Sequence, residues 1–278
     1  MKTGRTTLII LAAGEGSRLR PLTNDTPKCL VEVRGRSLLA WQLWAARQAG
    51  IRHIAIVRGY QAGAIAASGV TYFENPAYAT TNMVESLWCA ESVFGNGFIA
   101  SYGDIIYEPE VLRRVLAAEH EISVAVDRGW KPYWEARFGN VLADAETLRL
   151  DAGGRIAEIG KKPTAVEEIE GQYIGLTAFR GRGVEQLRAA YRRMRGERRF
   201  SMTDLLQAII DAGASVYQVP IERGWLEVDS LRDLELAEQA LQVADDGFTI
   251  AASRASLAKG GTSRGAGSGH DSARWSSG

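Results

Sequence analysis

The residues best suited to chemistry lie in Gly14-Glu15-Gly16-Ser17-Arg18 and, a little further on, in Pro27-Lys28-Cys29. A glycine turn presents backbone N–H groups without Cβ obstruction, which lets a chain cradle polyphosphate oxygens. Arg18 and Lys28 supply cations that neutralise such a ligand. Two aspartates stand out as well: Asp104 in Ser101-Tyr102-Gly103-Asp104 and Asp229 in Trp225-Leu226-Glu227-Val228-Asp229-Ser230. Each follows a short apolar stretch and so falls at the carboxyl end of a candidate strand, where α/β sheets place their ligands. The other role open to each is a turn or helix cap.

Better-known fingerprints do not fit this turn. Gly14-x-Gly16 matches half of the dinucleotide pattern, but Leu19 occupies the third glycine position, so close helix–strand packing is not provided for. The phosphate-loop pattern fails because Lys28 is followed by Cys29 rather than Ser or Thr. His53, His120 and His270 are scattered, and no spacing suggests zinc. No nucleophile-elbow motif is present.

Elements that could position these groups follow from the apolar pattern. Candidate strands are Leu8–Ala13, Ile54–Arg58, Thr71–Glu74, Phe98–Tyr102, Ile122–Asp127, Ile156–Gly160, Tyr173–Phe179, Val216–Val219 and Leu226–Val228. Helical segments lie between many of them. Ser37 precedes a segment with Leu39, Leu43 and Ala46 on one face and Gly50 at its end. Asn82 with Glu85, Ser201 with Asp204 and Ser230 with Asp233 mark further helix starts. The alternation predicts an α/β fold, Rossmann-like, with a mixed, mainly parallel central sheet, helices on both faces and a smaller antiparallel region. From Gly260 onward the chain is mostly Gly, Ser and Arg, a composition expected to stay disordered.

Composition narrows the partners. With 46% hydrophobic and 24% charged residues the chain reads as an ordinary globular protein. Its formal net charge is zero, which points away from nucleic acid and anionic membranes. Cys29 and Cys89 are too few for a disulfide framework, and no apolar run is long enough to span a bilayer, so a cytoplasmic location is expected.

The string from Thr7 to Leu39 resembles the signature of nucleotidyltransferases that join an NTP to a small phosphorylated acceptor. Pro27-Lys28-Cys29-Leu30, Thr81-Asn82-Met83 and Gly171-Gln172-Tyr173-Ile174-Gly175 are most similar to the phosphocholine and aminoalkylphosphonate cytidylyltransferases. This resemblance implies a nucleotidyltransferase domain over 1–244, with a nucleotide half to about residue 127, an acceptor and metal half over 128–244, and a tail over 245–278. It implies Mg2+ held by Asp104 and Asp229, Lys28 and Arg18 acting on the phosphates, and backbone groups of Leu11, Ala12 and Ala13 meeting the base. Gly14, Glu15, Gly16 and Ser17 complete the phosphate turn, and Asn75, Thr80, Thr81, Asn82 and Ser86 form a polar cluster similar to a string that lies along the family's nucleotide site, where Asn82 is equally a helix cap.

For the acceptor, the resemblance assigns Lys162 of Lys161-Lys162-Pro163 to its phosphate. Trp130, Tyr133, Trp134 and Tyr173, with Glu227, suggest a cage for a cationic amine, although packing over the sheet accounts for the Trp and Tyr residues equally well. Arg192, Arg193, Arg195, Arg198 and Arg199 read as a surface cluster at a helix end rather than an anion site. CTP is favoured as the nucleotide, and a homodimer is compatible with the sequence. Two other readings stay open: a sugar-1-phosphate nucleotidylyltransferase using UTP, dTTP or GTP, and a non-catalytic nucleotide-binding regulatory subunit.

Overall fold

A computed structural model describes residues 6–251 except 197–199 and 246. The tail beyond Gly260, His270, Arg198 and Arg199 lie outside the described residues. Strands β1 (Thr7–Ala12), β2 (His53–Arg58), β3 (Thr71–Glu74), β4 (Gly97–Tyr102), β5 (Ile122–Asp127), β6 (Gln172–Arg180) and β7 (Tyr217–Ile221) form one seven-stranded sheet. Its order is β7-β5-β6-β4-β1-β2-β3. Every pairing is parallel except those of β6, which runs against β4 and β5.

β1 explains why the first apolar run is continuous rather than alternating: both of its faces are covered. Leu8, Ile10 and Ala12 point into a layer shared with α1 (Leu38–Gln48) and α3 (Pro109–Ala117). Ile9 and Leu11 point into the opposite layer, with α2 (Met83–Cys89), α5 (Arg182–Met194) and α6 (Met202–Asp211). α4 (Lys131–Phe138) and α7 (Leu231–Ala240) join the first layer. The helix starts read from the sequence are formed as expected. Ser37 Oγ accepts the Ala40 N–H at 3.2 Å, and reciprocal capping boxes open α6 (Ser201 with Asp204) and α7 (Ser230 with Asp233). Among the described residues, no helix is long and apolar enough to cross a membrane.

Two features of this topology place the site. After β1 the chain builds β2 and β3 on one side, then crosses back to set β4 on the other side of β1. A crevice therefore opens beyond the carboxyl ends of β1 and β4, at the point where strand order reverses. The second feature was not anticipated. Rather than ending strands of one sheet, Asp104 and Asp229 are joined by a separate two-stranded ribbon in which Trp225–Glu227 runs antiparallel to Ile105–Tyr107. Glu227 faces Ile105, and the Val228 N–H donates to the Asp104 carbonyl at 2.9 Å, so Asp104 leads into the ribbon and Asp229 leaves it at the same end.

Candidate active site

The crevice is a cleft of about 280 Å³. Gly16, in the left-handed region at φ 69°, makes the turn after β1. A Cβ there would lie 2.8 Å from Lys28 Cβ, so this glycine also makes room for the lysine stem. Thr23 Oγ1 donates to the Gly16 carbonyl at 2.8 Å and ties the turn down from below. Gly103 serves the other wall: a Cβ there would lie 2.5 Å from the Leu11 carbonyl oxygen, so only glycine lets the chain after β4 pass this close to β1.

Lys28, Arg18, Asp104 and Asp229 meet at the mouth of these strands. Lys28 Nζ donates to Asp104 Oδ2 at 2.8 Å and to Asp229 Oδ1 at 2.5 Å, and Arg18 pairs with Asp229 Oδ2. Burial works against a charged Lys28, but Asp104 and Asp229 outweigh it and hold the ammonium pKa above the ordinary lysine range. Lys28 is therefore a fixed positive charge in this cleft, not a proton donor.

The donor set suits a hard divalent cation. The two carboxylates are brought together, both within hydrogen-bond reach of the same Lys28 Nζ, and Asp104 Oδ1 is buried without a hydrogen-bond partner. No group of three or more His, Cys, Asp or Glu side chains converges among the described residues. A pair of carboxylates suffices for Mg2+, which fills its remaining positions with phosphate oxygens and water.

A network absent from the sequence reading holds Asp229 in place. Arg137 on α4, almost wholly buried, donates to both oxygens of Asp233 at 2.7 and 3.2 Å and to Glu227 Oε2 at 2.5 Å. Asp233 Oδ2 also accepts the Asp229 N–H at 3.1 Å and the Ser230 N–H at 2.9 Å. The capping box of α7 and the position of Asp229 are thus one structure. Burial pushes the Glu227 carboxyl up to about 7, opposed by Arg137 and reinforced by Asp104 and Asp229.

The expected nucleotide residues are largely gathered here. Leu11, Ala12, Ala13, Gly14, Gly16, Ser17, Arg18, Lys28, Asn82 and Ser86 all line the cleft. Glu15 does not, because its carboxylate turns outward to Arg20 at 3.2 Å. Asn82 caps α2, its Oδ1 accepting the Val84 and Glu85 N–H groups at 3.0 and 3.2 Å, while its Nδ2 donates to the Phe200 carbonyl. Tyr78 and Thr81 also line the cleft.

The expected acceptor residues divide. Trp130, Tyr133 and Trp134 are 4%, 1% and 4% exposed and pack in the core, with Tyr133 and Trp134 against Trp225. Tyr133 Oη bonds both the N–H and the carbonyl of Glu227, at 3.0 and 3.1 Å. The structure does not bring these three rings into the cleft, and Glu227 faces Arg137. Trp134→Ala should therefore lower the melting temperature, by a core loss of about 3–5 kcal/mol. Acceptor KM should stay close to wild type, and a selective rise in KM at unchanged stability would return Trp134 to the site.

Tyr173 sits nearer the cleft, its ring edge-on to cleft-lining Tyr102 at 5.6 Å. Glu146, half-buried, acts electrostatically on both tyrosines. Its own carboxyl is raised, first by burial and further by Asp204 and Asp144, with a Thr203 hydrogen bond opposing. Lys162 reaches the Leu142 and Ala143 carbonyls at 2.6 and 2.7 Å, and Lys161 pairs with Glu158 at 2.5 Å. Arg192 and Arg193 occupy the exposed last turn of α5, where they complement its dipole.

Comparison with known proteins accords with this geometry. Residues 8–207 match the MobA-like NTP transferase domain. The chain is 37% identical over 247 residues to the CTP:phosphoglutamine cytidylyltransferase of Campylobacter jejuni, a match covering 82% of this chain and 97% of that protein. It is 30% identical over 162 residues to the 2-aminoethylphosphonate cytidylyltransferase of Lancefieldella rimae, covering 56% of this chain and 61% of the relative. Among solved structures, the CTP:phosphocholine cytidylyltransferase of Streptococcus pneumoniae shares the fold, with a TM-score of 0.65, 22% identity, and coverage of 84% of this chain and 98% of that one. A strand–turn cradle, its two cations and a paired-carboxylate site thus coincide with a family match over most of the chain: this protein belongs to the MobA-like NTP transferases and is a nucleotidyltransferase.

Proposed function

We propose that this protein transfers the cytidylyl group of CTP to a small phosphorylated or phosphonate acceptor and releases pyrophosphate, with Mg2+ as cofactor. The observation that carries this reading is the convergence of Lys28, Arg18, Asp104 and Asp229 on one cleft beside the Gly14–Ser17 turn. An acceptor oxygen forms a bond to the α-phosphorus, and the bond from that phosphorus to its bridging oxygen breaks. The electron pair leaves with pyrophosphate. The acceptor is already an anionic nucleophile, so the chain needs no nucleophile of its own. Its work is positioning and charge neutralisation.

In this reading the turn N–H groups and Arg18 hold the β- and γ-phosphates, and Lys28 meets charge developing at the α-phosphorus. Backbone groups of Leu11, Ala12 and Ala13 meet the base. Asp104 and Asp229 would hold Mg2+, which supplies further neutralisation of the triphosphate when bound. Lys162 and Tyr173 remain the acceptor residues, with Glu146 beside Tyr173 as a carboxylate for a cationic amine. The acceptors in the names of the two relatives, phosphoglutamine and 2-aminoethylphosphonate, both carry amino groups.

Pyrophosphate release across the four NTPs and a panel of acceptors is the test. The panel holds phosphocholine, 2-aminoethylphosphonate, a phosphorylated amino acid and glucose-1-phosphate. CTP with an amine-bearing acceptor should give the highest kcat/KM. Turnover favouring glucose-1-phosphate with UTP or dTTP would replace this reading with sugar-nucleotide synthesis, and no turnover with any pair would favour a regulatory subunit.

A further inference from the structure

One buried polar residue beside the cleft has no place in the phosphate chemistry. Asn75, only 3% exposed, follows β3, and its own N–H is fixed to the Arg58 carbonyl at the end of β2 at 2.8 Å. Its amide cannot flip without losing a bond, because Oδ1 accepts the Ala77 N–H at 3.0 Å. The two Nδ2 hydrogens then point at two hydroxyls, Thr81 Oγ1 at 2.9 Å and Ser86 Oγ at 3.0 Å. Both of these residues line the cleft. Asn75 holds them from the β2–β3 side of β1, whereas Asp104 follows β4 on the other side of β1.

A hydroxyl has one hydrogen and two lone pairs. Thr81 Oγ1 takes a hydrogen from Asn75 and gives its own to the Ala77 carbonyl at 2.9 Å. Ser86 Oγ takes the other hydrogen and gives its own to the Asn82 carbonyl at 3.3 Å. Each hydroxyl keeps one lone pair and has no hydrogen left to offer. The Ala77 N–H orients Asn75, Asn75 orients the two hydroxyls, and the hydroxyls become acceptors only.

We propose that Asn75, acting through Thr81 and Ser86, makes this wall an acceptor surface that selects a pyrimidine with an exocyclic amino group over one with a carbonyl in its place. The inference rests on the nucleotidyl-transfer reading only in that the triphosphate takes the cationic end of the cleft and leaves this wall to the base. Cytosine offers an N–H2 donor where uracil offers a carbonyl oxygen. A donor meeting these lone pairs is bonded, whereas a carbonyl oxygen meets lone pair against lone pair and is desolvated without a partner. Asn75 is a positioning residue; Thr81 and Ser86 make the contact.

The experiment is calorimetric binding of CTP and of UTP to the full chain in the presence of Mg2+, with pyrophosphate release measured separately. The wild-type protein should bind CTP about tenfold more tightly than UTP, the order one hydrogen bond supplies. Thr81→Val with Ser86→Ala should bring the ratio towards one by weakening CTP. Asn75→Ala frees both hydroxyls to rotate and donate, so it should narrow the ratio chiefly by strengthening UTP, an effect that a general loss of structure cannot produce. If Asn75→Ala does not fold, the hydroxyl variants decide alone. Equal wild-type affinities, or an unchanged ratio in the Thr81 and Ser86 variants, would overturn the proposal. Pyrophosphate release with both CTP and UTP would leave nucleotidyl transfer standing in that case. A binding preference for CTP without turnover on any acceptor would sink the transferase reading and leave this one intact.

Discussion

Asp229→Asn should lower kcat on the order of a thousandfold at saturating CTP and acceptor, since metal-held charge is worth several kcal/mol in such a transfer. The substitution keeps the shape of the side chain and removes the charge on which Lys28 and Arg18 both converge. Folding should survive, because the neighbouring network is independent of that carboxylate: Asp233 bonds the backbone N–H of residue 229, not its side chain. Asp104→Asn should behave similarly, because the oxygen of Asp104 without a hydrogen-bond partner is the one free to meet the metal. Divalent binding gives a second readout. Mn2+ titration followed by electron paramagnetic resonance should show weakened binding in both variants. Wild-type Mn2+ affinity together with wild-type turnover in Asp229→Asn would remove it from the metal site.

What the sequence could and could not show divides along physical lines. Continuous apolar runs such as Leu8 to Ala12 mark strands covered on both faces, and all seven strands of the central sheet overlap segments read as strands, although the edge strands Thr71–Glu74 and Tyr217–Ile221 are mixed in composition and only partly buried. Caps are local as well, so Ser37, Ser201 and Ser230 were legible from a few neighbouring residues. The signature turn was legible for the same reason, as were the two aspartates at the ends of apolar stretches.

Interactions that depend on distant partners were not legible. Arg137 lies in the last turn of the Pro-initiated helix α4 and looks like any helical arginine until α4 packs against α7 and the ribbon. Asn75 reads only as one member of a polar cluster, and its bonds to Thr81 and Ser86 show only once the turn and α2 fold over it. The aromatic string Trp130 to Trp134 misled in the opposite direction. Its composition suits a cation cage, but nothing local reports that Tyr133 and Trp134 close over Trp225 and that Tyr133 spends its hydroxyl on the Glu227 backbone. The ribbon joining Asp104 to Asp229 was missed because strands of three residues carry too little periodicity to specify a partner.

Lys28→Ala should lower kcat on the order of a hundred- to a thousandfold, the range set by removing one preorganised charge from the developing transition state. CTP affinity should fall much less, because the turn N–H groups and Arg18 still hold the outer phosphates. The pairing in this structure sharpens the expectation. Lys28 lies within 2.8 Å of both carboxylates, and its stem packs beneath Gly16, so its ammonium is placed by the turn and by the carboxylates together. Its raised pKa keeps it charged throughout the working range, so the loss should be the same at pH 6 and pH 9. Lys28→Arg should not rescue it, since a planar guanidinium cannot occupy a point between two carboxylates in the way a compact ammonium does. Calorimetric Kd values for CTP beside single-turnover rates separate the two effects. A Kd that rises with the rate constant intact would make Lys28 a phosphate anchor, and the charge at the α-phosphorus would then have to be met by Arg18.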